Sequence, residues 1–360
     1  MARFSPRRPL MMETLERREL LSVGTAAIEQ YALEQLNRAR TNPSQVAQDV
    51  TSNLTRSARD TFSFYNVNVD QVRNEIGSTP AVQPLAWNDD LAQAADRLSR
   101  DMAVNGFQSH VGSDGSSIEQ RISDAGYNNR ASYGENAFAY ADSVDQAMQA
   151  FLVDYGNPGK GHRNNIYNDS YREVGISINA AQAKGVGPEI VVQNFGSQQN
   201  EKPYLLGVVY QDNNHDNAYQ VGEGTDQLTI SVTPLDGNTR RPTGPTIDVA
   251  PWGSGGYQVQ LDPGLYRVVA HQGDRTFRTQ EVNIGSDNVK VDFDLTDTWQ
   301  QTPTPTPAPT PQPQAQPQTQ NSWTGVSQTQ SAPTPTVKAT PKTLAFTWAN
   351  LSWKGWNARS

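Results

Sequence analysis

Apolar and polar residues alternate in two different ways along the chain, and the change falls near residue 200. Before it, apolar residues recur every three or four positions, as in helices that bury one face, with capping residues at the boundaries. Asn42-Pro43 ends the first helix, because proline cannot continue a helix. Two short β-branched runs, 174–178 and 190–195, predict strands that the helices cover, so this part forms one α/β domain. The predicted helices are 26–40, a helix that begins at Asn88 or Asp89, 118–125 and a helix that begins at Ser143.

After residue 202, short alternating segments separated by Gly, Asp and Pro predict a small β-sandwich. From 302 to 341 Pro, Thr and Gln dominate, which is typical of an extended linker or a glycosylated stalk. The fold class is therefore α+β, with a small all-β sandwich and a disordered Pro/Thr-rich tail after the first domain. The predicted strands are 205–210, 228–232, 257–261, 265–270 and 289–295. The predicted boundaries are 1–24 for an export segment, 25–200 and 201–298 for the two domains, 299–343 for the linker and 344–360 for a Trp-containing tail.

The first 24 residues carry arginines around short apolar pieces, unlike the continuous apolar core of an ordinary signal peptide. Composition alone is compatible with two interpretations of these residues, an export segment or a disordered basic tail. Residues 15–22, however, resemble the segment Leu-Glu-Pro-Arg-x-Leu-Leu that begins many large exported proteins of planctomycete-type bacteria, with Arg17 in place of Pro. The resemblance implies a secreted or cell-surface protein. No stretch approaches the roughly 20 apolar residues that span a bilayer, so no transmembrane span is expected.

The net charge and the absence of cysteine exclude several kinds of partner and of functional site. The net charge of −8 and the pI of about 5.1 argue against a nucleic-acid partner, which requires a clustered basic face. The chain has no cysteine, which excludes disulfides, thiolate zinc sites and cysteine nucleophiles. Any metal site must therefore use His, Asp, Glu or Asn.

Two of the four histidines, His110 and His162, lie in loop-like sequence of the first domain, each just after a predicted helix. Between them residues 133–137 form a predicted polar turn that contains Glu135. Two neutral imidazoles from separate loops suit a divalent ion such as Zn²⁺. Glu135 could then ligate the ion, orient an imidazole or act as a catalytic base toward bound water. The alternative is that these residues only cap helices and brace loops.

Five short motifs follow one another in a recognisable order. In that order, across residues 28–196, they resemble the CAP superfamily of cysteine-rich secretory, antigen 5 and pathogenesis-related proteins. In having no cysteine, the chain resembles the bacterial branch of that superfamily rather than the disulfide-rich animal and plant branches. The motifs are Phe107-x-Ser109-His110, Gly134-Glu135-Asn136, Gly161-His162-Arg163-x-Asn165-Ile166, Glu173-Val174-Gly175 and Gln193-Asn194-Phe195-Gly196.

This resemblance implies an α-β-α sandwich with a cleft that holds two histidines and two acidic residues. His110, His162 and Glu135 stand at motif positions for the cleft. Glu119 is the nearest candidate for the fourth group, one residue before the position where bacterial relatives usually carry an acid and this chain has Gln120. That departure implies an incomplete tetrad and a weaker metal affinity.

A second metal site is predicted in the β-sandwich. Asp212, Asn214, Asp216 and Glu223 occupy positions one, three, five and twelve of a calcium-binding loop, whose oxygen ligands suit Ca²⁺. Asn217 replaces the usual glycine at position six, so a solvated acidic hairpin is the alternative. Such loops resemble those of bacterial extracellular prealbumin-like or adhesin-repeat β-sandwiches.

Three functions are compatible with these features. The favoured one is an extracellular binding protein, either non-catalytic or cryptically active, whose cleft takes a metal, a lipid, a protein or a cell-wall component. Its β-sandwich would act as a spacer or adhesion module. A metal-assisted hydrolase with Glu135 as general base is the first alternative. A structural cell-surface protein, favoured by the Pro/Thr-rich linker, is the second.

Overall fold

The computed structural model describes residues 26–52 and 54–296. The predicted export segment, linker and Trp-containing tail lie outside these residues. Within them, no helix combines the length and apolar character that crossing a membrane requires. The helices are α1 (Ala26–Thr41), α2 (Pro43–Asp49), α3 (Arg56–Phe64), α4 (Val69–Gly77), α5 (Asp89–Asn105), α6 (Ile118–Ala125), α7 (Val144–Val153) and α8 (Gly161–Ile166). The strands are β1 (Ala86–Trp87), β2 (Arg130–Ala141), β3 (Glu173–Ala180), β4 (Glu189–Gln198), β5 (Tyr204–Tyr210), β6 (Thr229–Leu235), β7 (Ile247–Val249), β8 (Gly256–Gln260), β9 (Gly264–Gln272), β10 (Arg275–Ile284), β11 (Val289–Lys290) and β12 (Phe293–Asp294).

The first domain contains a four-stranded sheet between two layers of helices. The strand order is β1-β3-β4-β2, with only the β1–β3 pair parallel, so β2 is an edge strand. Apolar side chains alternate along β4: Ile190 and Val192 pack against α5, whereas Val191 and Phe195 pack against α1 and α7. The predicted α-β-α sandwich and the α+β fold class are confirmed.

Capping residues define where the long helices begin and end. Asn88 accepts backbone N–H groups from Asp90 and Leu91 at 3.0 and 3.1 Å, and α5 ends at Gly106 with a left-handed φ of 71°. Ser143 caps α7 in the same way, by accepting the N–H of Gln146 at 3.2 Å. The predicted starts of these two helices are correct.

The first helix ends before Asn42-Pro43, as predicted, and α2 begins directly after it, because Asn42 caps α2 and Pro43 occupies its first turn, where proline is well tolerated. One local prediction is wrong. Residues 133–137 are not a polar turn, because they pair with β4 in the middle of β2. Their polar side chains take part in hydrogen-bond networks on both sides of this strand, which removes the apolar alternation that marks most strands.

The second part of the described chain is a β-sandwich. One sheet has the order β10-β9-β6-β7, and the other is built around β5, which pairs with β8, β11 and β12. Between them lies a core that includes Ile230, Val268 and Tyr257. The predicted sandwich is confirmed, although two of its strands were not predicted. Strand β7 has only three residues, and most side chains of β10 are exposed and polar.

The sandwich packs directly against the first domain. Gln258 of β8 bonds both the backbone N–H and the carbonyl of Trp87, at 2.8 and 2.9 Å. Lys290 of β11 forms an ion pair with Glu34 of α1 at 2.7 Å, and both side chains are largely buried. Asn288 donates to the carbonyls of Pro84 and Arg172 at 2.9 and 2.8 Å, so both domains share a polar interface.

A pair of glutamates lies at the junction between the domains. Buried Glu173 accepts hydrogen bonds from Tyr127 at 2.8 Å, Asn88 at 2.8 Å and Tyr204 at 3.2 Å. Burial, and then the negative charge of Glu173, raise the pKa of Glu201 from 4.5 to about 7. Glu201 therefore binds its proton more tightly in the folded protein than in the unfolded chain.

This raised pKa predicts that the protein loses stability as pH rises from about 4.5 to about 7, because the unfolded chain ionises Glu201 first. Glu201→Gln should remove that contribution and be the more stable protein at pH 8, with the difference vanishing at pH 4. Urea unfolding of both proteins across this range measures the effect. A difference in stability that does not change with pH would contradict the assignment.

Candidate functional site

His110 lies in the loop between α5 and α6 and is paired with a buried carboxylate. Its Nδ1 is 2.9 Å from Oε1 of Glu135, whose side chain is 2% exposed, whereas the imidazole itself is 45% exposed. The carboxylate can only accept, which assigns the ring proton to Nδ1. The lone pair on Nε2 is then available to a metal or another ligand.

Glu135, on β2, is held by further groups on its second oxygen. The buried guanidinium of Arg121 donates to Oε2 at 2.7 Å. Asn194, in the amide orientation that satisfies both of its ends, donates to the same oxygen at 3.0 Å. Both carboxylate oxygens are therefore occupied, so this geometry suits Glu135 to orienting the His110 ring rather than to ligating a metal or taking a proton from water.

His162 repeats this arrangement on the other helical layer. It lies in the first turn of α8, with Nδ1 2.9 Å from Oδ1 of Asp154, and its own N–H donates to Oδ2 of the same residue at 2.9 Å. The Asp154 side chain is 1% exposed and that of His162 is 20% exposed. The proton is again assigned to Nδ1, which leaves the lone pair on Nε2 of His162 available to a ligand.

Hydrogen bonds connect both histidines to one place on the edge strand β2. Asn136, the residue after Glu135 on β2, donates to the carbonyl of His162 at 3.2 Å. Glu135 itself is hydrogen-bonded to His110. Asn165 donates to the carbonyl of Glu135 at 3.1 Å and to the side chain of Asn136 at 2.9 Å. Because successive side chains of a strand point to opposite faces, the two histidines approach this edge of the sheet from its two sides.

Glu119, the predicted fourth group, lies on the first turn of α6. Its carboxylate is 60% exposed and accepts from Arg130 at 2.9 Å. Among residues 26–52 and 54–296, no group of three or more His, Cys, Asp or Glu side chains is arranged to hold a metal ion. The zinc site, with His110, His162, Glu135 and Glu119 as its residues, stays a prediction.

Two site residues were not predicted from the sequence. Arg121 stands on the apolar face of α6 between Ile118 and Ile122, and a charge on such a face is the signal that could have revealed it. Asp154 follows the last residue of α7 with a left-handed φ of 53°. Its pairing with His162 depends on the path of the following loop, which no periodic pattern in the sequence encodes.

The predicted calcium loop lies between β5 and β6, and its four residues belong to one hydrogen-bonded turn. Asp212 and Glu223 are buried. Asp212 accepts the backbone N–H groups of Asp216 and Asn217 at 3.2 and 2.8 Å, and Asn214 accepts that of Asp216 at 2.9 Å. Calcium binding here stays a prediction, which comparison of thermal unfolding in calcium and in EDTA would test.

Comparison with known proteins places the first domain in a family. The sequence model of the cysteine-rich secretory protein family, CAP, matches residues 33–195. No curated protein matches the chain. An extracellular protein from Bacillus anthracis that contains an SCP domain is 23% identical over 41% of this chain and 45% of that one, with a TM-score of 0.27.

Two other solved structures are similar at lower identity. A cysteine-rich secretory protein from Staphylococcus aureus is 15% identical over 39% of each chain, with a TM-score of 0.24. A venom allergen-like protein from Schistosoma mansoni is 17% identical over 40% of this chain and 92% of that one, with a TM-score of 0.25. The match spans less than half of each of the two bacterial chains. The family assignment rests on the match to the CAP sequence model, with which the helix–sheet–helix architecture agrees. Residues 33–195 of this chain therefore form a CAP domain, a member of the cysteine-rich secretory protein family.

Proposed function

We propose that this protein is an extracellular binding protein whose CAP cleft holds a divalent metal ion through Nε2 of His110 and Nε2 of His162. The observation that carries the proposal is the repeated pairing of an imidazole Nδ1 with a buried carboxylate, Glu135 in one case and Asp154 in the other. Metal-ligating histidines in proteins commonly have their second nitrogen held in this way. An extracellular location is part of the proposal and is supported by the predicted export segment.

The donor set favours Zn²⁺ over Mg²⁺ or Ca²⁺, because imidazole nitrogens suit zinc and hard cations prefer oxygen ligands. Two nitrogens leave coordination positions open for water or for a group on an external ligand. The metal would then act as an anchor for a cell-wall component, a lipid or a protein. Each open position could be filled by an oxygen of that ligand.

The geometry supports binding better than hydrolysis. A metal-assisted hydrolase needs a general base within reach of metal-bound water. Glu135, the predicted base, already has its oxygens engaged by His110 and by Arg121. A purely structural role for the domain remains the competing account, and it predicts that changing both histidines has no effect on zinc affinity.

Zinc titration of the full chain by calorimetry tests the proposal. We expect one site that is lost in the folded His110→Ala/His162→Ala variant. Asp154→Asn should weaken affinity about 10- to 100-fold, the usual effect of removing the group that orients a ligating histidine. His271→Ala is the matched control, because His271 lies on β9 of the sandwich and bonds Ser231 there. Equal zinc binding by the wild type and the double variant would contradict the proposal.

A further inference from the structure

The two glutamates at the domain junction lie where the chain passes from the CAP domain to the β-sandwich. Glu173 begins β3, and Glu201 lies in the short connection between β4 and β5. Gln198 contacts both carboxyl groups: its backbone N–H donates to Oε2 of Glu201 at 3.1 Å, and its side-chain amide donates to Oε2 of Glu173 at 3.5 Å. The two carboxyl groups are therefore neighbours at the covalent link between the domains.

Glu173 has hydrogen-bond donors from both domains, which suits it to being the ionised member of the pair. Tyr127 of the CAP domain donates to its Oε2 at 2.8 Å, and Tyr204 of β5 in the sandwich donates to its Oε1 at 3.2 Å. Burial, and then the charge of Glu173, raise the pKa of both tyrosines, so both phenols keep their protons and remain donors.

Glu201 lacks such donors. Its Oε1 is buried and has no hydrogen-bond partner among the residues that the structure describes. Leaving a buried oxygen of an ionised carboxylate without a donor is costly. Glu201 is close enough to Glu173 to share a hydrogen bond with it, and two carboxyl groups can do so only when one of them carries a proton. The arrangement is therefore complete with one proton between the two glutamates.

The charged neighbours act in opposite directions on this proton. Arg172, the residue before β3, bonds a carbonyl of the sandwich at 2.8 Å, and its charge lowers the pKa of Glu201. Burial and the charge of Glu173 outweigh this effect and raise that pKa to about 7. Lys202 is instead paired with Asp262 at 2.9 Å. The shared proton is therefore retained in acid and lost in mildly alkaline solution.

Other contacts of the interface do not depend on this proton. Gln258 and Asn288 of the sandwich bond backbone groups of the CAP domain through their amides, which are uncharged at both acidic and alkaline pH. Lys290 forms a separate ion pair with Glu34 at 2.7 Å. Loss of the proton should therefore loosen the connection between the domains without separating them.

We propose that Glu173 and Glu201 form a pH-sensitive latch that holds the β-sandwich against the CAP domain. With the latch closed, one proton joins the two carboxyl groups, and Tyr204 of the sandwich bonds the same Glu173. When that proton passes to solvent, two like charges remain side by side in a partly buried place, where their repulsion is stronger than at the surface. The connection 199–203 and the start of β5 should then open more often.

Hydrogen exchange followed by mass spectrometry, on the full chain at pH 4.5 and pH 8, tests this inference. Glu201→Gln is the informative variant, because its neutral amide can donate to Glu173 at either pH. Since exchange itself is faster at higher pH, the result at each pH is the ratio of wild type to variant. We expect similar protection of residues 199–206 in both proteins at pH 4.5, and about tenfold less protection in the wild type at pH 8.

Glu281→Gln is the matched control, because that glutamate lies on β10 and pairs with Arg267 at 3.2 Å, within the sandwich. It should leave the protection of residues 199–206 as in the wild type at both pH values. A ratio of wild type to Glu201→Gln that is the same at pH 4.5 and pH 8 would overturn the proposal. So would a loss at pH 8 that is equally large in α5 and β9, because that pattern indicates global unfolding rather than a local latch.

Discussion

Arg121→Met should lower the free energy of unfolding by about 3–5 kcal/mol, the usual cost of leaving one partner of a buried ion pair without the other. The side chains of Arg121 and Glu135 are 0% and 2% exposed and lie 2.7 Å apart. Arg121 also donates to the carbonyls of His110 and Ser116 at 3.1 and 2.7 Å. The same change should therefore loosen the His110 loop and reduce zinc affinity. Urea unfolding followed by circular dichroism measures the stability.

A second substitution separates lost charge pairing from lost packing. Glu135→Gln in the Arg121→Met background should recover part of the stability, because a neutral amide costs less to bury than an unpaired carboxylate. Arg100→Met is the matched control: this arginine pairs with Asp96 at 2.6 Å but is 68% exposed, so we expect a change of about 0.5 kcal/mol or less. A loss below about 1 kcal/mol in Arg121→Met would show that the buried pair does not hold the loop.

Gly175→Ala should destabilise the protein by at least about 3 kcal/mol, the upper end of the usual cost of overpacking. A Cβ at this position of β3 would lie 1.9 Å from the backbone nitrogen of Ala92 in α5, and the helix cannot move a side chain to make room. Here the CAP motif Glu173-Val174-Gly175 has a direct physical reason, since α5 crosses the sheet in contact with its backbone. Thermal and urea unfolding measure the change.

Gly237→Ala is the control for that prediction. A Cβ at Gly237 meets no atom within 4 Å, and this glycine does not have a left-handed φ, so we expect a change within about 0.5 kcal/mol. Equal stability of the two alanine variants would contradict the close contact between α5 and the backbone of β3 at Gly175.

The sequence predicts the long elements of the fold well because several local signals agree. The caps Asn88 and Ser143, the glycine after α6 and the apolar stripes place four helices close to their observed bounds. Helices α3 and α4 bury only two residues each, among them Phe62 and Ile76, so their periodicity is too weak to predict them. Strand β2 was not predicted in full for another reason: Glu135 and Asn136 make polar contacts at the candidate site, so this part of the strand lacks apolar alternation.

The site is predictable only in part. Sequence order and motif resemblance select His110, His162 and Glu135 as residues of interest. The partners that set their chemistry, Arg121 and Asp154, come from tertiary contacts. These contacts engage Nδ1 of each histidine and leave Nε2 free. The proposal that Nε2 is the ligating atom therefore depends on them.

Diffraction from zinc-soaked crystals, with data collected on both sides of the zinc absorption edge, tests the metal cleft most directly. The account predicts an anomalous peak about 2.0–2.1 Å from Nε2 of both His110 and His162, and its absence in the His110→Ala/His162→Ala variant. A peak bound only elsewhere, or no peak at zinc concentrations that saturate the calorimetric titration, would contradict it.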